Sequence, residues 1–232
     1  MYFCHSSQVW QQFPQLAAGL LLVDDIEPQV EVEARLQPWY ERARKRLEAA
    51  GSESQLAEVA AWRRAYSQMG LKPTQYRSAA EALLRRFRRG EDIPRLHPLV
   101  DLCNAVSLAF ALPVAVFDLA GVDSYLEVRH ARGDERYLAF SGEIEQPAPE
   151  EIIFAGAADQ IHARRWTFRQ SRQSTVGPET RRALVVSEGL HETAAADVRT
   201  LIEALANEIK AVWSPPRRQV MLSAESPRLE FD

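Results

Sequence analysis

Two groups of residues in this sequence have types and spacings that could do chemistry. The first is Asp101, Asn104 and Ser107, three polar residues at intervals of three inside the apolar stretch "LHPLVDLCNAVSLAFALPVAVFD", Leu96 to Asp118. On a helix they form an i, i+3, i+6 line that leans gently around the axis. One reading is an exposed seam, with Asn104 capping a loop. The other is a polar edge facing a pocket, because a buried Asn must be hydrogen-bonded and would anchor a neighbouring loop or a ligand. The second group is "RRWTFRQSRQS", Arg164 to Ser174. In a strand, Arg165, Thr167 and Arg169 share one face and Trp166, Phe168 and Gln170 the other. An aromatic ring beside an arginine and an amide can stack on a base or ring while pairing with phosphate or carboxylate. A Trp/Phe core face with solvated arginines would look the same in sequence.

The familiar catalytic signatures are missing. The chain has no GxSxG, P-loop, GxGxxG or HExxH. Its histidines, His5, His97, His130, His162 and His191, lack metal-ligand spacing, and neighbouring Cys4 and His5 are far from Cys103. Cys103 falls on the apolar side of its helix, where a packed thiol is expected rather than a nucleophile. Neither a metal nor a cofactor is expected.

Composition narrows the classes further. At 232 residues the chain suits one large domain or two small ones. A net charge of −4 argues against generic nucleic-acid binding, which favours a basic excess. The basic residues are nonetheless distinctive: apart from Lys45, Lys72 and Lys210 they are all arginine. They cluster at Arg63–Arg64, at "RRFRR" (Arg85 to Arg89), at Arg164–Arg165 with Arg169 and Arg172, and at Arg181–Arg182. The planar guanidinium suits phosphate and carboxylate recognition, whereas arginines on solvated helix faces need no ligand. No apolar run reaches the ~18–20 residues of a membrane span, and the N-terminus shows no secretion signal. Two distant cysteines without CxxC spacing point to a reducing compartment, with the cytoplasm as the default.

The elements that must position these residues change character along the chain. "GLLLVDDI" (19–26) reads as a buried strand. Helices are expected over 31–50, with Pro38 marking a kink or a start, and over 52–70, with Ser52 and Gln55 at its beginning. Ser78 and Glu81 form an S-x-x-E capping box before "AAEALLRRFRRG", whose late arginines also complement the helix dipole. The apolar helix with the polar line comes next. After Pro113 a meander of about six short strands is expected, through "VAVFDL", "YLEVRHA", "ERYLAFS", "EIIFAG", "HARRWTFRQ" and "RALVVSEGL". Residues 193–213 read as an amphipathic closing helix, and 215–232 as a loose tail. Helices, then strands, then a helix is an α+β order.

These residues carry a resemblance. "LVDLCNAVSLAFALPVAVFDL" resembles a segment of the B3/B4 domain of the phenylalanyl-tRNA synthetase β subunit. Leu71 to Leu190 resembles the free-standing B3/B4 proteins more closely. Their KP-x-x-x-R-S and RRW-x-x-RQ motifs match Lys72, Pro73, Arg77, Ser78, Arg164, Arg165, Trp166, Arg169 and Gln170. The resemblance implies an α+β, three-layer domain around an irregular β-sandwich core flanked by helices, spanning residues 1–214. It implies tRNA or aminoacyl-tRNA, or a small amino-acid-like ligand, as partner. Within the synthetase this domain hydrolyses tyrosine wrongly esterified to the phenylalanine tRNA. The family asparagine matches Asn104, which is the candidate catalytic residue. Lys72, Arg77, Asn104, Trp166, Arg169 and Gln170 are the candidate substrate-binding residues. The pocket departs from the synthetase elsewhere. Cys103 replaces a threonine, Ala115 replaces a histidine, and "FRQSRQS" (168–174) stands where the synthetase has a glycine-rich stretch. Trans-editing hydrolysis of a mischarged aminoacyl-tRNA is one implied function. A non-catalytic module binding tRNA, an aminoacyl group or a small metabolite is another. A structural or regulatory protein that keeps the fold alone is the third.

Overall fold

In the computed structural model of the chain, which describes residues 1–232, the apolar run near the N-terminus forms β2 (Ala17–Val23), with every residue buried. The reason is its place in the fold. It lies inside an antiparallel four-stranded sheet, between β11 (Arg218–Leu222) and β10 (Ala183–Gly189), with β3 (Val114–Asp118) beyond β10. Leu20 and Leu22 point to one core while Leu21 and Val23 point to another. A strand covered on both faces has no polar alternation. Gly19 is small for a related reason: a Cβ there would lie 2.5 Å from Ile202 Cγ1.

The second sheet has eight strands and is mixed. Its order is β12 (Arg228–Glu230), β1 (Tyr2–His5), β4 (Tyr125–His130), β7 (Ile152–Ala155), β8 (Gln160–Arg164), β5 (Arg136–Leu138) and β6 (Ile144–Glu145), with β9 (Arg169–Gln170) also paired to β8. β1 runs parallel to β4 and β5 parallel to β8, so the expected simple meander is corrected to a mixed sheet with crossovers. The two sheets face each other across a core containing Phe3, Leu126 and Phe154 from one and Leu20, Phe117 and Val186 from the other. Helices α5 (Pro98–Phe110) and α6 (Ala194–Val212) cover the outer face of the four-stranded sheet through Val106, Val198 and Leu205. Behind α5 lie α2 (Glu33–Ala50) and α4 (Ala79–Arg88). The result is an α+β sandwich with helical layers, as expected. No helix is long and apolar enough to cross a membrane.

Three local expectations are corrected. α2 runs through Pro38 rather than starting there. Ser52 makes no cap bond, and a 3-10 turn at Glu53–Gln55 precedes α3 (Ala57–Gln68). The stretch after Pro216, read as a loose tail, supplies β11 and β12, one strand to each sheet. It is too short and polar to announce a strand, and edge pairing orders it. The Ser78 capping bond is present, with Ser78 Oγ accepting from Glu81 N at 3.2 Å.

Candidate functional site

The polar line on α5 resolves into separate roles. Asp101 is buried and accepts from Arg95 Nε at 2.9 Å and Leu96 N at 3.0 Å, tying down the loop that enters the helix. Ser107 Oγ donates to Leu112 O at 2.6 Å and ties down the loop that leaves it. The helix ends at Ala111 in a left-handed conformation, φ 58°. Leu112 and Pro113 then turn the chain into β3. Asn104, between them, is half-buried and makes no side-chain hydrogen bond within the protein. It lines none of the cavities described below. The structure therefore does not bring Asn104 to the wall that carries Trp166 and Arg169.

That wall is also different from its sequence reading. "HARRWTFRQ" is not one strand with alternating faces. β8 ends at Arg164, and Arg165 and Trp166 both adopt left-handed backbone, φ 47° and 58°, in a tight turn before β9. A left-handed non-glycine residue costs about 1–2 kcal/mol, so the turn needs compensation. Glu151 supplies much of it: its oxygens accept from Arg164 Nε and Nη2 at 2.9 Å each and from Arg165 N at 3.2 Å. Trp166 N donates to Ile152 O at 2.7 Å, and the fully buried indole meets Phe13 and Trp62 edge-on with centroids 4.9 Å apart. Trp166 is thus a core residue as well as a pocket wall.

The turn closes a half-enclosed pocket of about 70 Å³. This exceeds the ~10–15 Å³ that one water requires and suits a small ligand group. Val114, Ala115, Phe154 and Val186 make it apolar, Ala79 borders it at the start of α4, and Arg169 and Gln170 stand on the β9 side. One carboxylate lines it: Glu188, on β10, only 2% exposed. Glu188 Oε1 receives both His5 Nε2 at 2.6 Å and Trp166 Nε1 at 2.9 Å. Oε2 receives no bond from the protein. A buried carboxylate needs donors to remain there, and here both donors address the same oxygen.

The remaining candidates take structural or peripheral positions. Gln170 Nε2 donates to Val116 O at 2.7 Å and to Ser174 O at 3.2 Å, bracing the pocket from behind. Arg169 is exposed and reaches Glu145 at 3.2 Å. Lys72 is exposed and lines no cavity described here. Arg77 donates to Thr74 O at 2.7 Å and lies 3.6 Å from Glu81. Glu81 also accepts from Arg63 at 2.6 Å, and burial pushes its carboxyl upward against the pull of both arginines. Lys72 and Arg77 therefore do not form an end of the pocket. The "RRFRR" arginines are engaged as well: Arg88 and Arg85 with Glu53 at 2.7 and 3.8 Å, Arg89 and Arg86 with Glu91 at 3.6 and 4.0 Å.

Two other features offer chemistry and resolve into structure. A wider groove of about 1070 Å³ runs between α2 and the loop after α4. Its charged walls include Arg88, bonded to Glu53, and Arg95, bonded to Glu33, and none of the expected site residues lies in it. Glu58, His191 and Asp197 come within 4.8 Å of one another, the spacing of a metal site. However, Arg46 holds Glu58 at 2.6 Å, and His191 and Thr193 hold Asp197 at 2.8 and 2.5 Å. Cys103 is buried on α5, which pushes its thiol far above the usual range and leaves it inert.

Glu188 and His5 escaped the sequence reading. The available signal was an acidic residue inside "ALVVSEG", a strand otherwise fit for complete burial. Such a residue must be partnered or functional.

A two-sheet α+β sandwich with helices outside and a small, carboxylate-lined pocket between strands and helix defines the class. The B3/4 domain family profile matches residues 61–206, and the chain belongs to that family. Among solved structures, an N-terminal fragment of the phenylalanyl-tRNA synthetase beta-subunit from Pyrococcus horikoshii is similar at TM-score 0.39 and 9% identity. The alignment covers 53% of this chain and 41% of that one, so this chain spans less than half of the fragment's length. No curated protein matches this chain.

Proposed function

We propose that this protein is a binding module for an aminoacyl group, presented free or on the end of a tRNA, and that the pocket at Glu188 receives it. The observation that carries this reading is the open oxygen of a buried carboxylate at the wall of an apolar pocket. Val114, Ala115, Phe154 and Val186 would cover the apolar part of an amino-acid side chain. Glu188 Oε2 would accept from a hydroxyl or ammonium group of the ligand, and Arg169 stands at the rim for an anionic group. The motifs shared with free-standing B3/B4 proteins support the same ligand class, with Trp166, Arg169 and Gln170 as pocket wall. The pairing of the "RRFRR" arginines with Glu53 and Glu91 leaves the rest of the tRNA weakly held.

Ester hydrolysis is the second reading, and Glu188 favours it. A carboxylate with one free oxygen can orient a water against an ester carbonyl without any covalent nucleophile. Asn104, off the pocket, supplies no donor to that carbonyl.

The test uses non-hydrolysable 3′-aminoacylamino-3′-deoxyadenosines carrying each amino acid, with a deacylation assay over a panel of mischarged tRNAs. Binding of one or a few analogues, weakened about tenfold or more by Glu188→Gln, is the expected result. Turnover lost in the same variant would promote the deacylase. No binding by any analogue, or binding indifferent to Glu188→Gln, overturns the proposal.

A further inference from the structure

We infer that His5 is the positioning residue of this pocket, holding Glu188 so that its second oxygen faces the ligand. The inference rests on the reading of the pocket just given. His5 belongs to β1 of the eight-stranded sheet and Glu188 to β10 of the four-stranded sheet, so their bond crosses the sandwich. Their side chains are 0% and 3% exposed and 2.6 Å apart. That separation is in the range of a strong, charge-assisted hydrogen bond.

Packing fixes the imidazole. Phe3 meets it edge-on with ring centroids 5.2 Å apart, and Trp10 packs at a tilt at 5.1 Å. Nδ1 is buried with no partner, so Glu188 is the ring's one polar contact. With Nε2 as donor to the carboxylate, Nδ1 carries the lone pair, and the tautomer follows from the network. Trp166 Nε1 reaches the same Oε1. Two donors from two elements define the plane of the carboxylate, and Oε2 is the oxygen left over. Trp166 cannot do this alone, because one hydrogen bond leaves rotation about the carboxylate axis open.

His5 lies outside the segment matched by the family, residues 61–206. The N-terminal strand thus does more than fill a place in the sheet between β12 and β4. It orients the one carboxylate of a pocket whose walls lie in the family segment.

The test combines a ligand-free and a ligand-bound measurement. Long-range proton–nitrogen NMR of the free protein should show His5 protonated on Nε2, with that signal displaced in Glu188→Gln. A proton on Nδ1, or a ring signal indifferent to Glu188→Gln, overturns the inference. Next, the tightest aminoacylamino-deoxyadenosine of the panel is titrated into His5→Phe, which keeps the ring volume without a donor, and into His5→Gln, which returns an amide donor. Affinity should fall about tenfold in His5→Phe and recover in large part in His5→Gln. Thermal melts accompany both, and loss of affinity only in step with loss of folded protein overturns the inference. If Glu188→Gln weakens binding while His5→Phe does not, the inference falls and the pocket stands. If no analogue binds, or Glu188→Gln leaves binding unchanged, the pocket falls and the inference with it.

Discussion

The polar line of α5 and the turn after β8 look alike in sequence, since each places hydrogen-bonding groups among apolar neighbours. Their partners differ. Asp101 and Ser107 find theirs within six residues, in the loops that enter and leave their own helix. Arg164, Arg165 and Trp166 find theirs on other elements, Glu151 and Ile152 at the start of the adjacent strand and Glu188 in the other sheet. A polar group satisfied locally finishes its work in building one element. A polar group satisfied at a distance joins elements, and where its partner keeps a free acceptor, as Glu188 does, the junction can also receive a ligand.

The largest test of that contrast is truncation of the turn's anchor. Trp166→Ala should destabilise the protein by about 3–5 kcal/mol, as for other buried tryptophans. Denaturant unfolding measures this, and a change under about 1 kcal/mol would separate the turn from the core. Next is the clamp on the turn. Glu151→Ala leaves the buried Arg164 guanidinium short of a partner and should cost about 3–4 kcal/mol. Replacing Arg164 and Glu151 together by Met and Leu should cost less than the sum of the singles, and a double-mutant cycle reads the coupling.

The strand leading into the turn gives a pH test. Burial holds His162 neutral and lowers its pKa from 6.5 to about 4. Below its ordinary value the unfolded chain binds a proton that the folded protein refuses, so stability falls with pH from 6.5 towards 4. The full loss from this group is on the order of 3 kcal/mol. Unfolding curves of His162→Asn against wild type should differ in slope across that window and run parallel above it.

The smallest effects belong to α5. Ser107→Ala strands a buried carbonyl and should cost about 1–2 kcal/mol. Asn104→Ala should stay within about 0.5 kcal/mol of wild type and leave analogue affinity unchanged. An Asn104→Ala variant that lost affinity while keeping its melting temperature would move the site onto α5 and reverse the contrast.

Much of the secondary structure was legible because its causes are local. The S-x-x-E box at Ser78, the apolar repeat of α5 and the unbroken apolar run of β2 are each written in residues a few positions apart. The strand "HARRWTFRQ" was misread because its alternation is genuine, while the left-handed turn at Arg165 and Trp166 is imposed by Glu151 and Ile152 on the neighbouring strand. β1 and β12 escaped because strands of three or four residues are made by pairing, not by their own composition.

The sequence by itself determined the α+β class, the helix boundaries near Ser78 and Pro113, and the family, through residues whose meaning is carried in the order of the chain. Only the tertiary structure decided which polar residues share a pocket. Glu188 and His5 are 183 positions apart, and the sandwich brings them within 2.6 Å. Periodicity reports which face of an element is buried, but not which other element covers it. That depends on how two sheets stack, and the pocket is formed where they and α4 meet.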